Sequence, residues 1–219
     1  DLDEAACAGT VDAIKAAGGQ ALALGADVSD EASVAAAVDR VAADLGAPTV
    51  LINNAGITRD NLLFKMSVAE WDSVMNVHLR GAFLMSRAVQ KYMVEAKFGR
   101  IVNITSGAVK HPIDVLGLSN GARTGLTGFC AGIARQVAKD NVTINGLLPG
   151  RMWTDRLKGN IEFHAKNTGK SFEEARQANL AVIPAGRHGE APAIGQEVAQ
   201  GVAGEAVGAR RWAEGLGAA

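Results

Sequence analysis

Two hydroxyls, a guanidinium and an imidazole are the side chains of this sequence whose types and spacing could do chemistry together. Ser106 closes a β-rich run, Ser119 lies thirteen positions beyond it, and Arg123 four further on, all within RIVNITSGAVKHPIDVLGLSNGAR from Arg100 to Arg123. A serine hydroxyl is a weak acid, and a guanidinium stays protonated, so Arg123 could stabilise an alkoxide but could not relay a proton. His78, in NVHLRGAF, both accepts and donates hydrogen bonds near neutral pH. Plainer readings stand beside these: Ser106 as a strand-end hydroxyl, Ser119 as a helix cap, Arg123 as a solvated helix charge, and His78 as the partner of a buried carbonyl. Lys110, His111 and Asp114 read as a solvated loop.

The elements that must position these residues alternate between strand and helix. Leu2 to Ala17 has helical spacing and stops at Gly18-Gly19, where positive φ is available. Ala21 to Gly25 reads as a short buried strand. Ser29-Asp30-Glu31 then caps a helix reaching about Leu45. Thr49 to Ile52 reads as a strand, and Ser67 with Glu70 forms a capping box opening a helical region to about Ala96. Arg100 to Ile104 is a strand, Ser119 to about Lys139 a helix, and Val142 to Leu148 a strand ending at Pro149-Gly150. This order predicts an α/β fold, a doubly wound parallel sheet in three α/β/α layers. Ligands of such sheets bind beyond the carboxyl ends of the strands, where Asn53, Ser106 and Pro149 fall.

Several of these segments, taken in order, resemble short-chain dehydrogenases/reductases over roughly residues 1–189. Asp27-Val28 looks like the family's Asp beside the adenine ring, Asn53-Asn54-Ala55-Gly56 like its NNAG turn, and Pro149-Gly150 with Thr154 like its PG-x-x-x-T segment. The run NNAGITRDNL, Asn53 to Leu62, is particularly similar to bacterial β-ketoacyl-acyl-carrier-protein reductases. The resemblance implies a Rossmann-like fold, an NAD or NADP cofactor, and a carbonyl/hydroxyl substrate, small or linked to an acyl carrier. It implies cofactor contacts at Asp27, Asn53, Ala55, Gly56, Arg123, Pro149, Gly150 and Thr154. It also implies catalytic roles for Ser106, Ser119, Arg123 and His78. Ser106 would polarise the substrate oxygen and Arg123 would hold ribose, with His78 where the family's helix Asn is expected. The turn-only and cap-only readings of Asn53 to Gly56, Asp27 and the PG segment remain open.

The chain departs from the family pattern in its centre and at both ends. Ser119 stands where the family has Tyr and Arg123 where it has Lys, so proton transfer would need water, ribose or His78. The sole tyrosine, Tyr92, lies on the preceding helix and is assigned no catalysis. The TGxxxGxG turn and the first two strands around it are not found, and the chain starts at Asp1, so a fragment of a longer protein is expected. Asp1 itself could be the family's ribose-binding acid, which leans the cofactor towards NAD, or simply a helix cap. Residues 152–184 read as a helical, lid-like insertion, with a second capping box at Ser171 and Glu174. Residues 190–219, including Arg210-Arg211-Trp212, read as a divergent or frame-changed segment.

Composition narrows the partners. The chain has 219 residues, 48% hydrophobic and 21% charged, which suits one compact domain with a substantial core. A net charge of −1 and a pI near 6.5 provide no basic field for nucleic acid or an anionic membrane. Two separated cysteines, Cys7 and Cys130, suggest neither a disulfide framework nor a metal site. A soluble, cytoplasmic protein is expected, assembled as a homodimer or homotetramer through the helices that pair subunits in the family. Two functions follow. One is a divergent NAD(P)-dependent oxidoreductase; the other is a catalytically silent relative that binds a nucleotide or serves as a partner subunit.

Overall fold

Runs rich in branched side chains form a parallel sheet in the computed structural model, which describes residues 1–114 and 116–203. Its strands are β1 (Val50–Asn53), β2 (Gly99–Ile104) and β3 (Val142–Leu147), ordered β1-β2-β3. The register pairs Leu51 with Ile101 and Ile101 with Ile144. Because side chains alternate along a strand, these three share one face and are all buried.

The helices are α1 (Ala8–Ala16), α2 (Glu31–Asp44), α3 (Val68–Met75), α4 (Gly81–Glu95), α5 (Gly117–Val137), α6 (Asp155–Thr168), α7 (Phe172–Ala181) and α8 (Ala191–Ala203). The expected stop and start signals operate: Gly18 ends the first helix at φ +81°, Asp30 caps α2, and both capping boxes close reciprocally. α4 and α5 cover the Leu51/Ile101/Ile144 face through Leu84, Val89, Met93, Leu126 and Cys130. Val34 and Val38 of α2 join the same core. α8 lies across β2 and β3 on the other face, where a Cβ on Gly201 would come 4.0 Å from Val102. Helices on both faces of a parallel sheet give the expected Rossmann-like layering.

Three expectations need correction. Ala21 to Gly25 is not a strand. Its extended backbone pairs with the first residue instead, the Ala26 N–H donating to the Asp1 carbonyl at 2.8 Å and the terminal ammonium to the Leu24 carbonyl at 3.4 Å. With no sheet strand beside it among the described residues, an apolar run alone does not make a strand. The first helix opens as a 3-10 turn, Glu4–Cys7, capped by Asp3. The third is α5, which begins at Gly117, two residues before the predicted start.

No helix among the described residues is long and apolar enough to cross a membrane. Cys7 and Cys130 are both free thiols. The Arg210-Arg211-Trp212 cluster lies outside the described residues.

Candidate active-site cleft

The carboxyl ends of β1 and β2 meet one cleft, walled by Asn53, Ala55, His78, Ile104 and Arg123. His78 reaches it from an interruption in the α3–α4 helical run, where Asn76–Arg80 forms a π-turn. A π-turn inserts one residue into the helical ladder and re-aims a side chain, a device frequent at functional sites. Gly56 completes the arrangement by having no side chain: a Cβ there would lie 2.5 Å from His78 Cε1. Its φ is not positive, so close approach rather than backbone freedom explains this glycine.

The His78 ring is buried, its Nε2 lying 3.0 Å from the Ile57 nitrogen and 2.8 Å from the Ile57 oxygen. Depending on tautomer, it accepts from that N–H or donates to that carbonyl. Burial pushes the His78 pKa down, opposed by the Ile57 bond and reinforced by the charges of Arg123 and Arg156. The resting imidazole is therefore held neutral near pH 7.

Arg123 is anchored by three hydrogen bonds. Nη1 donates to the carbonyls of Ile104 at 2.8 Å and Thr105 at 2.9 Å, and Nε donates to Ser119 Oγ at 3.2 Å. Thus α5 is bolted to the end of β2 through one side chain. Ser119 is the third residue of α5 and not its cap. The N-cap is Leu116, which makes no side-chain cap bond, and the Ser119 N–H instead donates to Asp60 Oδ1 at 3.1 Å. Burial lowers the Arg123 pKa, as does the nearby Arg156, while Asp60 raises it. The guanidinium stays charged at neutral pH. Ser106 is half-buried, and its Oγ accepts the Ala108 N–H at 3.1 Å as the cap of the short turn Gly107–Val109. Its hydroxyl proton has no acceptor among the described residues.

The remaining sequence candidates fall into two groups. Asn53 and Ala55 wall the cleft, although the Asn53 amide is turned into the sheet, donating to Asn103 Oδ1 at 2.8 Å and Ser86 Oγ at 3.3 Å. Asn103 in turn donates to Cys130 Sγ at 3.4 Å, so this polar chain ties β1, β2, α4 and α5 together. Pro149 and Gly150 follow β3 at the same strand ends, and a Cβ on Gly150 would meet nothing within 4 Å. Thr154 caps α6 through the Leu157 N–H. Away from these, Asp27 is exposed and folded onto Ser29, which holds its carboxyl below the usual range. The Asp1 carboxylate accepts the Leu2 N–H at 2.7 Å, so the lean to NAD gains no support. Tyr92 lies outside the cleft, its hydroxyl 3.4 Å from Asp39 on α2. Lys110, His111 and Asp114 are exposed, as expected of a solvated loop.

Two charged residues that act on Arg123 escaped the sequence reading. Asp60 belongs to the same NNAGITRDNL run that was read only for its turn, and Arg156 follows Thr154 by two residues. Neither has a local signal; tertiary folding alone brings their charges to Arg123. Beyond them, α6 and α7 pack through Ile161, Ala165 and Ala175. Trp153 stacks on His188 at 4.9 Å and 10°, and its backbone N–H donates to the Gly189 carbonyl at 2.7 Å. That joint ties the start of the insertion to the lead-in of α8.

A parallel sheet with helices on both faces and a cleft at its strand ends defines a Rossmann-type α/β protein. The short chain dehydrogenase family model matches residues 1–164, and the chain belongs to this oxidoreductase family. It is 38% identical over 187 residues to the 3-oxoacyl-[acyl-carrier-protein] reductase FabG of Pseudomonas aeruginosa, covering 84% of this chain and 70% of that one. The same reductase from Escherichia coli is 36% identical over 179 residues, with 81% and 66% covered. The chain thus spans roughly two thirds of these relatives. A crystal structure from Sinorhizobium meliloti assigned to the short-chain alcohol dehydrogenases superposes with TM-score 0.82 at 28% identity, over 91% of this chain and 76% of that one.

Proposed function

We propose that this chain carries the catalytic cleft of an NAD(P)-dependent oxidoreductase acting on a carbonyl/hydroxyl pair, similar to the 3-oxoacyl reductases it matches. The observation that carries the reading is the convergence of Ser106, His78, Ser119 and Arg123 around the ends of β1 and β2. The residues present fit the nicotinamide-ribose half of such a cofactor. Ala55 and Arg123 wall the cleft, and the open side of Gly150 leaves its backbone approachable. A bound nicotinamide would donate or accept the hydride.

In this reading the Ser106 hydroxyl donates a hydrogen bond to the substrate oxygen and polarises it, while the Ala108 N–H holds its lone pair. Arg123, kept rigid by two backbone carbonyls, supplies fixed positive charge against a developing alkoxide. Neither Ser119 nor Arg123 is a competent acid at neutral pH. His78 is the remaining group able to exchange a proton, through water, and its neutral resting form suits a base in the oxidation direction. Residues 152–184 act as the lid and residues 190–203 as a supporting helix. The choice between NAD and NADP, the acyl-carrier substrate and a homodimeric or homotetrameric assembly belong to the same proposal.

One observation favours the second reading, a catalytically silent relative acting as a nucleotide-binding or partner subunit. Arg123 is bonded both to Ser119 and to the end of β2, as a structural residue would be. Cofactor-dependent absorbance assays on ketoacyl and simple alcohol substrates, using the complete gene product, decide between them. Turnover abolished by Ser106→Ala supports the enzyme; absence of turnover with cofactor bound supports the silent relative.

A further inference from the structure

α5 starts without a side-chain cap of its own, and a loop from elsewhere in the fold supplies one. A helix start leaves its first N–H groups without partners along the helix. Leu116, at the cap position, offers no side-chain bond, and the Asn120 amide is turned to the Ile113 backbone, accepting at 3.3 Å and donating at 2.8 Å. The Ser119 N–H is instead taken by Asp60 Oδ1 at 3.1 Å, across 59 positions of sequence. Asp60 is set for this by the loop that carries it. Three residues earlier, Ile57 packs with Met66 on the cluster of Val74, Leu118 and Ala122, the last two being neighbours of Ser119 and Arg123 on α5. The Ile57 backbone is also held by His78 Nε2. Half-buried Asp60 thus reaches α5 from a fixed base.

Ser119 is where two connections meet. Its amide belongs to Asp60, and its Oγ accepts Arg123 Nε at 3.2 Å, while Arg123 Nη1 holds the carbonyls of Ile104 and Thr105. A planar guanidinium anchored at Nη1 alone could turn about that atom; Nε supplies the second fixed point. Helix ends fray, and fraying of the first turn would swing Ser119 Oγ away from Nε. A carboxylate also suits this place electrostatically, facing the positive end of the 21-residue α5.

We propose that Asp60 is a positioning residue of this cleft: by capping α5 at Ser119 it fixes Ser119 Oγ, and through that oxygen the plane of the Arg123 guanidinium. The inference rests on the proposed function only in taking Arg123 to face the reacting oxygen, and its first test needs no turnover.

Nitrogen NMR of the full 219-residue chain reads the Arg123 Nε–H directly, its signal assigned by loss in Arg123→Lys. In Asp60→Ala its exchange with water should quicken about fivefold or more, and in Asp60→Ser by less. Asp60→Asn, which keeps an oxygen for the Ser119 amide, should restore the wild-type rate. A cap serving stability alone would lower the melting temperature of Asp60→Ala and leave this signal as it was. An Nε–H as protected in Asp60→Ala as in wild type would therefore overturn the proposal; should that variant not fold, the same result in Asp60→Ser would do so. In the complete gene product, on a ketoacyl substrate, Asp60→Ala should lower kcat about tenfold with KM within about twofold, and Asp60→Asn should recover it. Unchanged kcat in Asp60→Ala would contradict the positioning role. The predicted NMR effect in a protein that turns over no substrate would count against the oxidoreductase reading and leave the role of Asp60 standing.

Discussion

His78 and Gly56 form the tightest contact in the cleft and carry the sharpest predictions. Gly56→Ala places a methyl 2.5 Å from the imidazole, so the His78 ring must shift away from its Ile57 partner. A loss of about 1–3 kcal/mol is expected on denaturant unfolding. Gly150→Ala, with nothing within 4 Å, should stay within about 0.5 kcal/mol of wild type. Both histidines with lowered pKa, His78 and His188, bind protons more readily unfolded than folded. Stability should therefore fall as pH drops below about 6.5, and be recovered above it. The lowered carboxylates, Asp27 and Asp140 among them, act in the same sense but only nearer pH 4, where protonating them removes further stability. His78→Gln should flatten the melting-temperature slope between about pH 7 and 5. An unchanged slope would remove His78 from this account. At this scale the sequence made Ser106, Arg123 and His78 legible by type and spacing. It could not reveal Asp60 or Arg156, because their link to Arg123 spans separate elements.

Elements were most legible where local chemistry closes on itself. Ser67 and Glu70 satisfy each other's amides within four residues, and Ser171 and Glu174 repeat the device. Ser67→Ala should cost about 1 kcal/mol in chemical unfolding, with the loss centred on α3 in hydrogen exchange. A variant as stable as wild type would show that the box is ornamental. The π-turn at Asn76–Arg80 was not legible, since it depends on where His78 and Gly81 are held. Gly81 packs against Val28 so closely that a Cβ would come within 2.8 Å of it. Ala21 to Gly25 failed as a strand for the complementary reason: strand identity belongs to the partner as much as to the run. Ser119 failed as a cap because α5 starts earlier and Asp60 takes its amide.

The whole molecule shows a surface the fold leaves open between α4 and α5, a groove of Phe83, Phe129 and Ile133 over the sheet. Phe129 meets Phe83 edge-on at 5.9 Å yet stays 37% exposed, as a side chain at a subunit contact would in an isolated chain. Phe129→Glu should shift light-scattering mass towards the monomer; unchanged mass would place any assembly elsewhere. Family and layering were legible because motif order survives substitution, while chemistry was not, because two side chains decide it. Ser119→Tyr with Arg123→Lys in the complete gene product tests that division most directly, with NAD(P)-dependent turnover of a ketoacyl substrate as the readout. If the cleft is an oxidoreductase site short of an efficient acid, turnover should rise about a hundredfold or more. Unchanged inactivity in a folded, cofactor-binding double variant would contradict it and leave the silent relative.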